Sequence, residues 1–175
     1  MELSDEAMHE RMANGWRAGK PFTICGNGST LDATANVRRW LPQIAKRYDI
    51  RTVNDAGAGD MVWIRRVQWD VDYQPFDLIP RLPEVAKIDI TREMIPVCDA
   101  ILCRMVLNHL QERIVETVAL LKQSGARYLI ATQFDNAASR TRQFQRLDLR
   151  PYFGEPLESV QDGNEDECTL ALWRI

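Results

Sequence analysis

The most informative stretch of this 175-residue chain is Val53-Asn54-Asp55-Ala56-Gly57-Ala58-Gly59-Asp60. Residues 51–55 are predicted to form a short strand, the two glycines a tight turn, and residues 61–67 a helix. Glycines at such a turn let the backbone approach a ligand closely, and a helix start offers free N–H groups. The stretch therefore predicts a ligand-binding turn at the carboxyl end of a strand.

Strands and helices alternate along the rest of the chain. Strands are predicted for residues 72–77, 86–90, 98–104, 126–132 and 169–175, and helices for residues 37–48 and 110–123. Asn108 is expected to cap the second helix. Strands that are apolar on both faces and separated by helices predict a doubly wound α/β fold. Its sheet is expected to be mostly parallel, with helices on both faces, and ligands bind beyond the carboxyl ends of such strands.

Length and composition favour a single globular domain. The apolar share is 45% and the charged share 27%, which are ordinary values. We expect one domain over residues 1–175, with an N-terminal helical segment over 1–48 and an α/β core over 49–175. The net charge of -3 argues against a protein that coats nucleic acid.

Neither a membrane nor a metal is indicated. No stretch is apolar for long enough to span a bilayer, and the acidic start MELSDEAMHE does not resemble a signal peptide, so a cytoplasmic location is expected. The cysteines form no C-x-x-C pair and the two histidines are far apart, which predicts reduced, buried thiols and no metal site. These cysteines are Cys25, Cys98, Cys103 and Cys168.

Three acids follow predicted strands. The third glycine position of the dinucleotide fingerprint holds Val62, so that fingerprint fails. Asp55, two residues before the first glycine, would repel a pyrophosphate but suits a ligand with an ammonium group, such as S-adenosylmethionine. Asp77 could accept hydrogen bonds from both ribose hydroxyls. Asp89 could accept a hydrogen bond from the amino group of adenine, while Ile88 or Ile90 packs on the adenine ring. Any one of these acids, taken alone, is better explained as a solvated carboxylate in a loop, whereas three acids at successive strand ends favour a ligand site.

The order of these motifs resembles the class I S-adenosylmethionine-dependent methyltransferases. Asp55-x-Gly57-x-Gly59 looks like the family's first motif, Asp77 and Asp89 match its acidic positions, and residues 98–111 look like its fourth strand and next helix start. The stretches GNGSTLDAT, RRWLPQIAKRYDIRTVNDAGAGDMVWI, SGARYLIAT and LALWRI resemble small methyltransferase-like proteins of bacteria and phages. Met61 replaces the usual third glycine, and Pro75 interrupts the second strand.

The resemblance covers the chain from about Gly26 onward. It implies a Rossmann-like single domain, S-adenosylmethionine as methyl donor, S-adenosylhomocysteine as product and no metal. The donor site that it implies consists of Asp55, Ala56, Gly57, Ala58, Gly59, Asp77, Leu78, Asp89, Ile90 and Arg104.

The acceptor side leaves several alternatives open. His109 could serve as a general base, or simply pack in a helical turn. Arg104 could line the donor pocket, bind an anionic acceptor, or form a surface ion pair. Asp162, Glu165, Asp166 and Glu167 are expected to form a solvated acidic hairpin tip. The sequence does not set the acceptor atom or the oligomeric state.

Three functions are consistent with this sequence. A small-molecule methyltransferase is favoured. Nucleic acid remains an alternative substrate through Arg140, Arg142 and Arg146, which are interleaved with aromatic residues. However, the N-P-P-Y and Pro-Cys motifs of the standard DNA methyltransferases are absent. The third alternative is a module that keeps the fold for binding or assembly and does not catalyse.

Overall fold

A seven-stranded sheet forms the centre of the computed structural model, which describes residues 23–135, 145–163 and 168–175. Its strands lie in the order β3-β2-β1-β4-β5-β7-β6, and β1 to β5 are parallel, whereas β7 runs antiparallel to both β5 and β6. This topology confirms the predicted doubly wound, mostly parallel sheet. The strands are β1 (Thr52–Ala56), β2 (Asp72–Asp77), β3 (Ala86–Lys87), β4 (Ala100–Cys103), β5 (Tyr128–Phe134), β6 (Glu158–Gln161) and β7 (Cys168–Arg174).

Helices cover both faces of the sheet, as predicted. Helix α1 (Ala35–Arg47) buries its apolar stripe against one face, and α2 (Ile114–Gln123) covers the other, while α3 (Arg150–Phe153) is a single short turn. Successive strand residues point to opposite faces. On β4, Leu102 therefore joins the cluster under α1 and Ile101 the cluster under α2.

Some predicted elements differ from the structure. The helix expected over residues 61–67 is wrong: the chain forms only a 3-10 turn at Ile64–Arg66, because Met61 has a left-handed φ of 57° that interrupts a helix. Helix α2 begins at Ile114 and not at residue 110, after two 3-10 turns, so Asn108 does not cap it. Strand β6 and helix α3 were not predicted.

Pro75 lies inside β2 without disrupting the sheet. On its inner side β2 pairs with β1, where Pro75 stands opposite Asp55. On its outer side β2 pairs with the two-residue β3 only from Phe76 onward. A proline is tolerated near an edge that requires no hydrogen bond at that level. The strand consequently continues to Asp77, which ends at the carboxyl edge of the sheet.

Candidate active site

A cavity of about 440 Å³ lies at the carboxyl edge of the parallel strands. It is bordered by the segments that follow β1, β2, β3 and β4, and by a segment before α1. This is the place where doubly wound sheets bind their ligands, and the volume is within the range of small-molecule sites.

The glycine turn forms the floor of this cavity next to β1. Gly57 has a φ of 105°, a conformation that a side chain rarely adopts, and a Cβ there would come within 2.2 Å of Val106 Cγ2. The N–H groups of Gly57 and Ala58 both donate to the carbonyl oxygen of Phe76, at 2.8 and 3.0 Å. The turn is thereby held between β2 and the segment after β4, in close van der Waals contact with both.

Asp77 joins the end of β2 to the glycine turn. Its Oδ2 accepts a hydrogen bond from the Gly59 N–H at 2.9 Å, and its Oδ1 accepts one from the Ile79 N–H at 2.9 Å. Each carboxylate oxygen has further lone pairs that can accept hydrogen bonds from a ligand. The carboxylate lines the cavity, together with its neighbour Leu78.

Asp55 does not line the cavity. Alternation along β1 turns its side chain toward the α1 face, where it is 3% exposed and accepts a hydrogen bond from the Tyr73 hydroxyl. Burial raises the pKa of Asp55 to about 7, opposed by that hydrogen bond and reinforced by Asp77. Ala58 is likewise absent from the lining, since it packs in the core under α1. A contact between either side chain and a ligand therefore finds no geometric support.

Asp89 closes the cavity on the β3 side. It lies with Ile88 and Ile90 along the wall. Its Oδ1 accepts hydrogen bonds from the Thr91 N–H at 3.0 Å and the Thr91 hydroxyl at 2.6 Å. These bonds orient the carboxylate, and the two isoleucines add apolar side chains to the same wall.

Arg104 follows β4 directly and is buried, which excludes the surface ion pair considered for it. Its Nε and Nη2 donate to Asp162 Oδ1 at 3.1 and 2.6 Å, and Nη2 also donates to the Gly28 carbonyl at 2.6 Å. The guanidinium lies 5.1 Å from the centre of the Trp63 ring. Arg104 borders the cavity, but its Nε and Nη2 groups donate to other residues of the protein and not into the cavity.

The expected acidic hairpin tip requires a correction. The hairpin between β6 and β7 exists, but Asp162 is fully buried against Arg104 and is not solvated. Burial raises the pKa of Asp162, and the positive charge of Arg104 opposes that shift. The other members, Glu165, Asp166 and Glu167, lie outside the described residues.

His109 and Phe134 border the cavity on the β4 and β5 side. His109 ends the 3-10 turn Leu107–His109, and Phe134 is the last residue of β5. The guanidinium of Arg146 lies 6.0 Å from the centre of the Phe134 ring, which places this arginine beside the same rim. Arg140 and Arg142, which were predicted to contact nucleic acid, are outside the described residues.

Sequence reasoning missed the segment of residues 23–29, here called the strap. Its Cys25, Gly26, Gly28 and Ser29 line the cavity, and Cys25 lies against the glycine turn. Cys25 is consequently only partly buried, whereas Cys98, Cys103 and Cys168 are buried as expected. The one available signal in the sequence is the closely spaced pair Gly26 and Gly28 before α1.

Solved structures resemble this chain over most of its length. The N-methyltransferase NodS from Bradyrhizobium japonicum, solved with S-adenosylhomocysteine, superposes with a TM-score of 0.66 at 13% identity, covering 97% of this chain and 96% of that one. The Burkholderia thailandensis 1,6-didemethyltoxoflavin-N1-methyltransferase, bound to its acceptor and S-adenosylhomocysteine, gives 0.57 at 14% identity, covering 78% and 77%. A Clostridium acetobutylicum S-adenosylmethionine-dependent methyltransferase gives 0.60 at 10% identity, covering 83% and 92%.

The chain has the methyltransferase fold. This confirms the fold that the first motif and the acids after the strands implied. Neither a protein-family model nor a curated protein sequence matches the chain. The narrower resemblance to small bacterial and phage proteins stays a prediction.

Within residues 23–135, 145–163 and 168–175, no helix combines the length and apolar character needed to cross a bilayer. In that same part of the chain, no three His, Cys, Asp or Glu side chains are grouped as they would be around a metal ion.

Proposed function

We propose that this protein is an S-adenosylmethionine-dependent methyltransferase that acts on a small molecule. The observation that carries the proposal is the meeting of Asp77 with the glycine turn in one cavity, at the edge where this fold binds ligands. The solved structures of the same fold that contain S-adenosylhomocysteine support the same assignment.

The residues around the cavity fit the proposed donor. Asp77 accepts hydrogen bonds from the ribose hydroxyls, and the backbone of Gly57 and Gly59 lies against the amino-acid part of the donor. Asp89 accepts a hydrogen bond from the adenine amino group, while Ile88 or Ile90 packs on the adenine ring. Two carboxylates on the wall are unfavourable for a pyrophosphate, and this argues for a donor without phosphates.

The donor supplies an electrophilic methyl group bound to a sulfonium. The protein holds the acceptor so that its lone pair forms the new bond to the methyl carbon, and the broken carbon–sulfur bond leaves its electron pair on sulfur. His109 is the group on the cavity rim that can take a proton from a protonated acceptor atom. An acceptor that carries no such proton needs no base.

A small-molecule acceptor is favoured by the dimensions of the site. A cavity of about 440 Å³ that also holds the donor leaves room for a compact group beside His109 and Phe134. The toxoflavin-precursor enzyme with the same fold has such an acceptor, which is a property of that protein and supports the proposal by analogy.

The decisive experiment is a calorimetric titration of the full chain with S-adenosylmethionine and S-adenosylhomocysteine, with NAD and ATP as controls. Saturable binding of the two sulfur compounds alone is expected. A ligand at one hundred times its Kd should also stabilise the protein by about 2.7 kcal/mol, which raises Tm by roughly 5–10 °C. Binding of NAD instead, or of none of the four, would overturn the proposal.

The acceptor class is tested separately with S-adenosylmethionine labelled in its methyl group. The protein is incubated with the small-molecule fraction of a cell extract and, in parallel reactions, with DNA and with RNA. Label should enter the small-molecule fraction. Label in nucleic acid alone would overturn the proposed acceptor class, and donor binding without any transfer would favour a binding module.

A further inference from the structure

The strap crosses the glycine turn and is fastened to it at its first residues. The Thr23 hydroxyl and the Ile24 N–H both donate to Asp60 Oδ2, at 2.6 and 2.8 Å. In return, the Asp60 N–H donates to Cys25 Sγ at 3.3 Å. Packing is tight here, because a Cβ on Gly59 would come within 2.6 Å of the same sulfur.

A second fastening lies at the other end of the strap. Arg104 Nη2 donates to the Gly28 carbonyl at 2.6 Å, while Arg104 Nε and Nη2 are held by Asp162 Oδ1. The arginine and aspartate side chains are 3% and 0% exposed. A planar guanidinium with fixed donors is suited to joining a carboxylate and a carbonyl in a defined geometry.

The hairpin that carries Asp162 is itself attached to the chain that follows the strap. The Asp162 N–H donates to the Cys168 carbonyl at 2.9 Å, which closes the hairpin. The next residue, Gly163, donates its N–H to the Ala33 carbonyl at 3.1 Å. Asp162 therefore has a fixed position from which to hold Arg104.

We propose that Arg104 is a positioning residue: paired with Asp162, it holds the Gly28 carbonyl and so fixes the strap against the cavity. Its guanidinium does not bind the acceptor. The consequence for catalysis rests on the proposed function, because Gly28 and Ser29 form the rim that encloses the donor and the acceptor.

The test separates positioning from stability by removing both charges together. Truncation of one partner would leave the other charge buried and unpaired, whereas replacement of a buried ion pair by apolar residues of similar volume is often neutral for stability. The double variant Arg104→Met/Asp162→Leu, in which both replacements are apolar, should therefore keep a Tm in the full chain within a few degrees of the wild type while the strap loses its second fastening.

Cys25 reports the position of the strap directly. Burial raises the pKa of its thiol to about 11, with Asp60 adding to the shift, so alkylation of the wild-type protein by iodoacetamide is slow. Because the other three cysteines are buried, labelling of the native protein is assigned to Cys25 by peptide mass spectrometry. The double variant should be labelled at Cys25 at least about fivefold faster and bind S-adenosylhomocysteine roughly tenfold more weakly.

A matched control removes another arginine–carboxylate pair. Arg47 and Glu158 form an ion pair at 2.6 Å that is partly exposed and contributes nothing to the cavity lining. The variant Arg47→Met/Glu158→Gln should label at Cys25 at the wild-type rate. Labelling at the wild-type rate in the Arg104→Met/Asp162→Leu protein, at an unchanged Tm, would overturn the proposal.

Two safeguards keep the result interpretable. If the double variant does not fold, Arg104→Lys keeps the charge but loses the fork that reaches both partners, and it should still accelerate labelling. If Cys25 in Arg104→Lys is labelled at the wild-type rate, the proposal is overturned as well. Labelling is measured without donor, so failure of the wild type to bind S-adenosylhomocysteine would refute the proposed function and leave the role of Arg104 to be judged by labelling.

Discussion

The hydroxyl of Tyr73 on β2 donates a hydrogen bond to the carboxylate of Asp55 on the adjacent strand β1, inside the protein and away from the cavity. Burial raises the pKa of Asp55 to about 7, and raises that of Tyr73 as well. Between about pH 4 and 7 the unfolded chain has lost the Asp55 proton, whereas the folded chain retains it.

We therefore expect the Asp55 contribution to lower the free energy of unfolding by on the order of 3–4 kcal/mol as pH rises through this window. Above about pH 7, Asp55 should cause no further decrease. Urea denaturation at several pH values measures the slope. Asp55→Asn cannot titrate and should flatten it, whereas Asp72→Asn, which alters an exposed carboxyl on β2, should not. Identical slopes in the wild type and Asp55→Asn would contradict this assignment.

Asp77 gives a prediction for donor binding. In Asp77→Asn, one oxygen and the shape of the side chain are kept, but the charge is lost and an N–H₂ group replaces one acceptor. The loss of charge-assisted hydrogen bonds to the ribose is worth about 1.5–3 kcal/mol, which weakens S-adenosylhomocysteine binding roughly ten- to a hundredfold in a calorimetric titration.

The control for this experiment is Asp72→Asn, at the opposite end of the same strand. It carries the same chemical change and should leave the Kd unaltered. A Kd for Asp77→Asn within about twofold of the wild type would remove Asp77 from the donor site. The Tm of both variants without ligand should be measured alongside, because Asp77 also holds the Gly59 and Ile79 N–H groups.

The elements that could be predicted from sequence are those with local signals. The glycine turn could be predicted because Gly57 and Gly59 are closely spaced directly after the strand expected over residues 51–55, and both have positive φ in the structure. Strand β2 was readable to its exact ends despite Pro75. Asp77 could be placed at the sheet edge because it follows such a strand.

The features that escaped prediction depend on contacts between distant residues. Arg104 and Asp162 are 58 residues apart, and Cys25 and Asp60 are 35 apart. No periodicity or motif connects such pairs. The direction of the Asp55 side chain depends on which face of β1 meets Tyr73, which requires the strand pairing to be known. An acid next to a pair of glycines therefore predicts the turn, but it does not predict which group the carboxylate contacts.

Asp99 provides a stability prediction at the edge of the sheet opposite the cavity. Its Oδ2 accepts the N–H groups of Arg51 and Thr52 at 2.8 and 3.0 Å, and its Oδ1 pairs with Arg127. Burial acts to raise the pKa of Asp99, but these hydrogen bonds outweigh it and lower that pKa. The contribution to stability is thus present above the unfolded pKa of about 3.9 and lost as pH falls through the lower folded pKa.

Asp99→Asn should lower the free energy of unfolding by about 1 kcal/mol at neutral pH, because the charge of these partly exposed bonds is lost while one acceptor remains. The difference from the wild type should shrink as pH falls from about 4, where the unfolded carboxyl begins to take up its proton, toward the lower folded pKa, below which the native carboxyl is neutral too. Urea denaturation at neutral and acidic pH measures both values. A difference that does not change with pH would show that the side-chain charge contributes nothing.

Gly57 and Gly154 separate the cost of backbone conformation from the cost of crowding. Both have positive φ, 105° and 75°, but a Cβ on Gly57 would lie 2.2 Å from Val106 Cγ2, whereas a Cβ on Gly154 would meet nothing within 4 Å. Gly154, with ψ of -165°, lies in a region that is almost restricted to glycine, so Gly154→Ala should cost only the conformational term of about 1–3 kcal/mol. Gly57→Ala should cost a further 1–3 kcal/mol, roughly, from overpacking.

The crowding term is recovered by making room beside the glycine. In Gly57→Ala/Val106→Ala the clashing methyl group is gone. The free energy of unfolding of this double variant should therefore fall by less than the sum of the decreases in the two single variants. Thermal and urea denaturation of the four proteins measure this coupling. Equal destabilisation by Gly57→Ala and Gly154→Ala, with additive effects at Val106, would mean that the turn moves freely away from the segment after β4.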